Sequence, residues 1–355
     1  MSLGRSRTIE LYTPDPFLRK MRFDYVLESG IILIIPTGER TVLLQQKFMK
    51  CGSEYYQCEI VSKSYVRDLF VSKYGIRHFS RYFSNSSYAL KLIPTQMRPE
   101  VGKELEKIFD GMAPSYEMEL MKNPVQRYMR EVTSSLLRKY SKEGCSVLDL
   151  GCGPMIESLT LPDSILLTGA DISSGMLNEA MRRAAGRGNV KLVKTDMELS
   201  GTFSQYDIIY STYGAMELLG HEKMKTFVTD HLKDGGVFII CFWNSLGLLD
   251  NLLALFAGKF SYVLQKIAGK VHPNQSRHQV YTKPSNPFNI SAIFGAKVLE
   301  RTGVCLIVPP YNYNRLITAI TKLSFITRID RFLGSCPLMW IFSDYVAVVM
   351  QPNRH

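Results

Sequence analysis

Residues 147–155 read Val147-Leu148-Asp149-Leu150-Gly151-Cys152-Gly153-Pro154-Met155, an apolar strand that ends in a carboxylate and runs directly into a turn with two glycines. Glycine permits a tight turn and close approach of a ligand to the backbone. A lone GxG also marks ordinary bends. The full dinucleotide fingerprint would require glycine at position 156, where Ile156 stands. A carboxylate beside the turn also repels a phosphate cluster, so a pyrophosphate is a poor guest.

The same strand-then-turn pattern repeats downstream. Apolar strands are expected at 146–150, 165–172, 190–193, 206–210 and 236–242, with amphipathic helices at 175–185 and 223–232. Short apolar strands separated by helices predict a parallel sheet covered on both faces. In such a sheet the ligand crevice lies beyond the carboxyl ends of the strands. The second edge, GADIS, carries Asp171, 22 residues after Asp149 and placed to accept hydrogen bonds from two ribose hydroxyls. The alternative is a solvated aspartate capping the next helix, a role open to Ser173 or Ser174 as well. The third edge, KTDM, sets Asp196 beside Met197, which suits an adenine amino group and ring face or, equally, a plain turn and a core methionine.

Taken together, VLDLGCGP, GADISSGML, KTDMELS, YDIIYSTYGAMELL and LKDGGVFII resemble, in order and spacing, the motifs of class I S-adenosylmethionine-dependent methyltransferases. The resemblance covers about residues 105–243, with echoes in FGAKVLERTGV and DYVAVVM. It implies a Rossmann-like, doubly wound α/β fold: a seven-stranded, mainly parallel sheet with helices on both faces, an N-terminal extension and a C-terminal helical lid. It implies S-adenosylmethionine as cofactor. Asp149, Gly151, Cys152 and Gly153 would line its methionine part. Asp171 would bind the ribose, Ile172 and Met176 would lie nearby with Ile172 against the adenine, and Asp196 and Met197 would meet the adenine. Ser211 and Thr212 would sit near the donor methyl. The segment 109–117 (FDGMAPSYE) resembles a helix-loop closing over the cofactor through Tyr116. Many members have a third glycine where this chain has Met155, a side chain that would narrow the loop or require it to move.

A sulfonium donor already methylates strongly, so the protein must align the acceptor and exclude water. A hydroxyl acceptor also needs a base. Tyr213, His272 and His278 are the candidates, with both histidines in a polar loop, HPNQSRHQ, where a surface role competes. Pro309-Pro310-Tyr311 resembles the motif of amino-methyltransferases acting on nucleic acid, but it stands after a later strand. The cysteine and histidine spacings match no zinc site, and no metal is expected.

The 355 residues include 43 Lys and Arg against 32 Asp and Glu. Residues 1–98 carry 15 basic and 8 acidic residues, 99–243 carry 16 and 20, and 244–355 carry 12 and 4. A slightly acidic core therefore lies between two basic flanks, where an anionic or amphipathic partner is to be sought. Domain bounds are expected at 1–98 for an accessory region and 99–355 for the catalytic domain, with a cofactor core at 145–243 and lid insertions at about 245–288 and 311–343. In the accessory region, GIILIIP and TVLLQQK flank Thr37-Gly38-Glu39-Arg40 as a hairpin would. Seven scattered cysteines without a CxxC pair suit a reducing, cytoplasmic setting. No secretory signal and no membrane span is read.

The acceptor is expected to be a small or lipid-like molecule methylated on oxygen or nitrogen. Residues 246–270 and 315–342 are rich in Leu, Ile and Phe, with lysines at 259, 266 and 270 able to meet an anionic membrane surface. Packing over the sheet explains the same composition. Two other readings are an RNA methyltransferase, from aromatics among basics in SKYGIRHFSRYF, and a non-catalytic partner protein with a methyltransferase fold.

Overall fold

A computed structural model describes residues 8–12, 20–29, 31–36, 48–51, 54–83, 87–95, 101–195, 203–213, 220–269, 272–273, 281–282, 284–310 and 324–353. The chain divides into two compact units, Met1–Val101 and Gly102–His355.

The first unit is a closed antiparallel barrel. Its strands are β1 (Thr8–Tyr12), β2 (Lys20–Glu28), β3 (Ile31–Ile34), β4 (Phe48–Cys51), β5 (Glu54–Ser62) and β6 (Tyr88–Thr95), in the order β1-β2-β3-β6-β5-β4. Between β5 and β6 run α1 (Lys63–Tyr74) and α2 (Ile76–Phe83). Tyr25, Ile32, Ile34 and Leu92 fill one buried cluster. The residues between them, Val26, Leu33 and Ile35, pack with Val66, Phe70, Phe79 and Phe83 of the helices. Both faces of β3 are thus covered, which explains why the apolar run is continuous rather than alternating. The hairpin differs from the one expected: β3 pairs backward with β2 across Ser29, which takes a left-handed φ of 50°. The Thr37–Arg40 turn lies outside the described residues.

The second unit contains the expected sheet. Its strands are β7 (Ser146–Leu150), β8 (Leu166–Asp171), β9 (Val190–Lys194), β10 (Tyr206–Thr212), β11 (Leu232–Trp243), β14 (Ala296–Val304) and β15 (Tyr345–Pro352); β12 (His272–Pro273) and β13 (Tyr281–Thr282) form a separate short pair. The order is β14-β15-β11-β10-β7-β8-β9, parallel from β9 to β11, with β15 antiparallel to both neighbours. Alternation within strands feeds two cores. Leu148, Ile209, Phe238 and Ile240 pack on one face, and Val147, Ile208, Tyr210 and Ile239 on the other.

The helices are α3 (Val101–Lys122), α4 (Pro124–Tyr140), α5 (Ser174–Arg183), α6 (His221–His231), α7 (Leu248–Phe256), α8 (Phe260–Ile267), α9 (Ile290–Phe294) and α10 (Ser324–Ser335). α3 and α4 are separated by a sharp cap: Asn123 Oδ1 accepts from the amides of Val125 and Gln126 at 3.0 and 3.2 Å, and Pro124 opens α4. The segment 109–117, expected as a helix-loop, is instead helical throughout and includes Pro114. On α10, the buried Asp330 accepts from the amides of Cys305, Ile307 and Val308 and from the Tyr128 hydroxyl, at 2.6–3.0 Å. Among the described residues, no helix is long and apolar enough to cross a membrane.

Candidate cofactor site

β7 is the point where the sheet order reverses, with β8 on one side and β10 on the other. A crevice opens beyond the carboxyl ends at such a point. The turn leaving β7 takes left-handed backbone at Gly151 (φ 72°) and Gly153 (φ 49°), which is why glycine stands there. At the end of β8, Asp171 holds this turn in place. One carboxylate oxygen accepts from the Gly153 amide at 2.8 Å and the other from the Ser173 amide at 2.9 Å. Burial raises the Asp171 pKa, while the amides of Ser173, Gly153 and Ile172 oppose the rise. Each oxygen retains a lone pair that a ribose hydroxyl can use.

Met155 resolves the departure from the three-glycine pattern. Its φ is 56°, in the region that favours glycine, yet its side chain is fully buried. It occupies the space left by Gly169 on β8, where a Cβ would lie 2.6 Å from Met155 Sδ and 3.0 Å from Cys152 Sγ. The methionine therefore packs beneath the sheet instead of narrowing the loop. The same contact takes Cys152 into the core and away from a ligand-facing role. Burial holds its thiol well above its ordinary pKa.

Tyr116, on α3, lies at the turn: a Cβ at Gly153 would be 3.9 Å from its ring. Its hydroxyl accepts from Arg130 Nη2 at 3.4 Å, and Arg130 is ion-paired with buried Glu157. Asp149 completes this group. It is buried and accepts from Ser158 Oγ at 2.6 Å. Burial lifts its pKa to about 7; the Ser158 hydrogen bond opposes the rise, the nearby Glu157 and Asp171 carboxylates add to it, and Arg130 opposes it. From α3, Asp110 accepts from Ser173 Oγ at 2.6 Å and the Gly175 amide at 2.7 Å, joining this helix to the start of α5. Ser173 also caps α5 by accepting from the Met176 amide, leaving the Met176 side chain buried. Asp110, Arg130 and Glu157 were not among the expected site residues. Arg130 and Glu157 carry no local motif and meet only through the fold.

The remaining expectations divide. Ile172 follows β8 and is half-buried, as is Thr212 at the end of β10. Ser211, expected beside the donor methyl, is instead buried, and its hydroxyl donates to the Leu150 carbonyl at 3.0 Å. Tyr213 departs further from a catalytic role. Its hydroxyl donates to the Met129 carbonyl at 2.6 Å, and burial drives its pKa well up, which unsuits it to act as a base. Asp196, Met197 and His278 lie outside the described residues. His272 lies in β12, but its side chain also falls outside them.

The lysine expected at the surface of the insertion is buried. Lys266 Nζ lies 2.6 Å from Asp250 Oδ2 and 2.9 Å from Asp344 Oδ1, and 5.0 Å from the centre of the Trp243 ring. The Tyr262 hydroxyl also donates to Asp250, at 2.7 Å. Burial works against the Lys266 charge, but Asp344 and Asp250 outweigh it and raise the pKa.

Residues 147–236 match the family model described as Methyltransferase domain. The order of the sheet and this match together give the chain the class I S-adenosylmethionine-dependent methyltransferase fold. An uncharacterized protein of Methanocaldococcus jannaschii is 29% identical over 160 residues, covering 45% of this chain and 59% of its own. The ribosomal protein L11 methyltransferase of Thermosipho africanus is 33% identical over 132 residues, covering 36% and 46%. The chain thus spans about half the length of the curated relatives it matches. Among solved structures, the N-methyltransferase NodS of Bradyrhizobium japonicum, in complex with S-adenosyl-L-homocysteine, aligns at 13% identity over 72% of this chain and 100% of its own, with a TM-score of 0.44.

The residues present fit S-adenosylmethionine. The Asp171 carboxylate at the end of β8 suits a vicinal diol, and a Cβ at Gly153 would meet nothing nearer than the Tyr116 ring, 3.9 Å away, so a ligand can approach the backbone there closely. Asp149, Glu157 and Asp171 set acidic groups around a site that would receive a cationic ligand.

Proposed function

We propose that this protein is an S-adenosylmethionine-dependent methyltransferase that acts on oxygen or nitrogen of a small, amphipathic acceptor. The observation that carries the reading is the Asp171 carboxylate, which braces the glycine turn at the point where the sheet order reverses. The bound cofactor would supply an electrophilic methyl on a sulfonium centre. Asp171 would hold the ribose, and the Gly151–Gly153 turn would admit the methionine portion close to the backbone. α3 would limit access of water through Tyr116, held by Arg130. An acceptor hydroxyl would need its proton removed, whereas a neutral amine would lose its proton after transfer.

An amphipathic acceptor is supported by the helices that follow β11. This insertion exposes Leu248, Phe256, Phe260 and Leu264. Supplying the protein and isotopically labelled cofactor to a cell extract, with mass-resolved detection of labelled products, tests the proposal. Labelled small molecules should appear with the native chain and vanish with Asp171→Ala. Label confined to RNA would overturn the small acceptor, and failure of the native chain to bind S-adenosylhomocysteine in calorimetry would overturn methyl transfer itself.

A further inference from the structure

α7 and α8 form a helical pair whose amphipathicity is inverted. On α7, Leu248, Leu252, Leu255 and Phe256 recur at the spacing of one helical face and are exposed, while Asp250 and Asn251 are buried. α8 repeats the arrangement: Phe260, Leu264 and Ile267 share an exposed face, while Lys266 is buried. The contrast is large, with Leu264 71% and Phe256 88% exposed beside Lys266 at 0%. A pair folded for water alone would place its leucines inside and its lysine outside.

The exposed charge of the pair itself has one sign. In 244–355 there are four acidic residues, and Asp250, Asp330 and Asp344 are buried. The fourth, Glu300 on β14, is paired with Lys139 of α4, in a different part of the unit. Lys259 is exposed between Phe256 and Phe260 at the tip of the pair. Aromatic rings flanking a lysine, with no exposed carboxylate on the same helices, complement an apolar layer bordered by anions.

We infer that the α7–α8 pair docks this protein on the surface of an anionic lipid bilayer, with the Phe256–Phe260 tip entering the interface and Lys259 meeting lipid phosphate. The pair lies on the surface and does not span: α7 has 9 residues and α8 has 8, about 13 Å each at the helical rise. Lys266, Asp250 and Asp344 form the polar interior that keeps the apolar face outward.

Sedimentation with vesicles of phosphatidylglycerol and phosphatidylcholine tests the surface. The native chain should bind these vesicles and bind pure phosphatidylcholine much less. A Phe256→Ser, Leu264→Ser double substitution at two exposed positions should reduce binding about tenfold or more, and Lys259→Glu about fivefold. S-Adenosylhomocysteine binding in calorimetry should be unchanged in both variants, which separates this surface from the cofactor site and reports that they are folded. Absence of binding to anionic vesicles, or equal binding to neutral ones, would overturn the inference. So would a dimer of the native chain in light scattering that the double substitution abolishes, because a second copy would then cover the face.

Discussion

The glycine turn after β7 and the helical pair after β11 both lie beyond the carboxyl ends of parallel strands, yet they sort polar and apolar groups in opposite ways. At the turn, Met155 and Cys152 pack beneath the sheet and Asp171 stands at the crevice. In α7 and α8, Asp250 and Lys266 are inside, while Leu248, Leu252, Leu264, Phe256 and Phe260 are outside. Under the two proposals above, the partner, more than the residue type, decides what is buried: a polar ligand would call the charged groups to one surface, and an apolar medium the aliphatic groups to the other.

The contrast can be broken at its most costly point by Lys266→Met, which strands two buried carboxylates. A loss of about 3–5 kcal/mol is expected in denaturant unfolding at pH 8. The loss should shrink at pH 5 as the Asp344 carboxyl, which burial raises to about 6, takes up a proton; equal losses at both pH values would show that the ion pairs do not organise the pair of helices.

On the other side, Asp171→Ala leaves the Gly153 and Ser173 amides without their acceptor. It should cost about 2–4 kcal/mol of stability and abolish measurable cofactor binding in calorimetry. Asp171→Asn should retain part of the stability but not the binding.

Gly169→Ala places a methyl group against Met155 Sδ. It should destabilise by about 1–3 kcal/mol, and Met155→Ala in the same chain should recover part of this. Additive losses in the double variant would show that the two positions do not share the space.

The smallest effect concerns Asp149, whose carboxyl is raised to about 7 by burial. Its folded-state pKa exceeds that of the unfolded chain, so its contribution is fully present below about pH 4 and is lost as pH rises through about 7. Asp149→Asn should therefore flatten the fall in stability across that window and raise the melting temperature at pH 8 by about 3 °C. An unchanged pH profile would remove Asp149 as its source.

The strand edges were readable in the sequence because each carries its own signal: an apolar run, a glycine or a terminal carboxylate. Asp149, Gly151, Gly153 and Asp171 meet at the carboxyl ends of β7 and β8 for that reason. Met155 could be read only as a departure, because the vacancy that accepts it is Gly169, on another strand. Arg130 and Glu157 are likewise joined only by packing. The inversion of α7 and α8 was hidden in a different way. Periodicity reveals two faces but does not say which one turns inward, so Lys266 read as a surface charge. Ser211 and Tyr213 followed the correct strand, and their hydroxyls were claimed by the backbone carbonyls of Leu150 and Met129.

Asp330 has a consequence for how this chain can change. One carboxylate on α10 gathers three amides of the 305–308 turn, so the exit from β14 and the return through α10 are tied at a single knot. Because closing a longer loop costs only slowly more, the stretch between the two arms can gain or lose residues with little strain on the sheet. The knot thereby anchors both arms to the sheet whatever the length of chain between them.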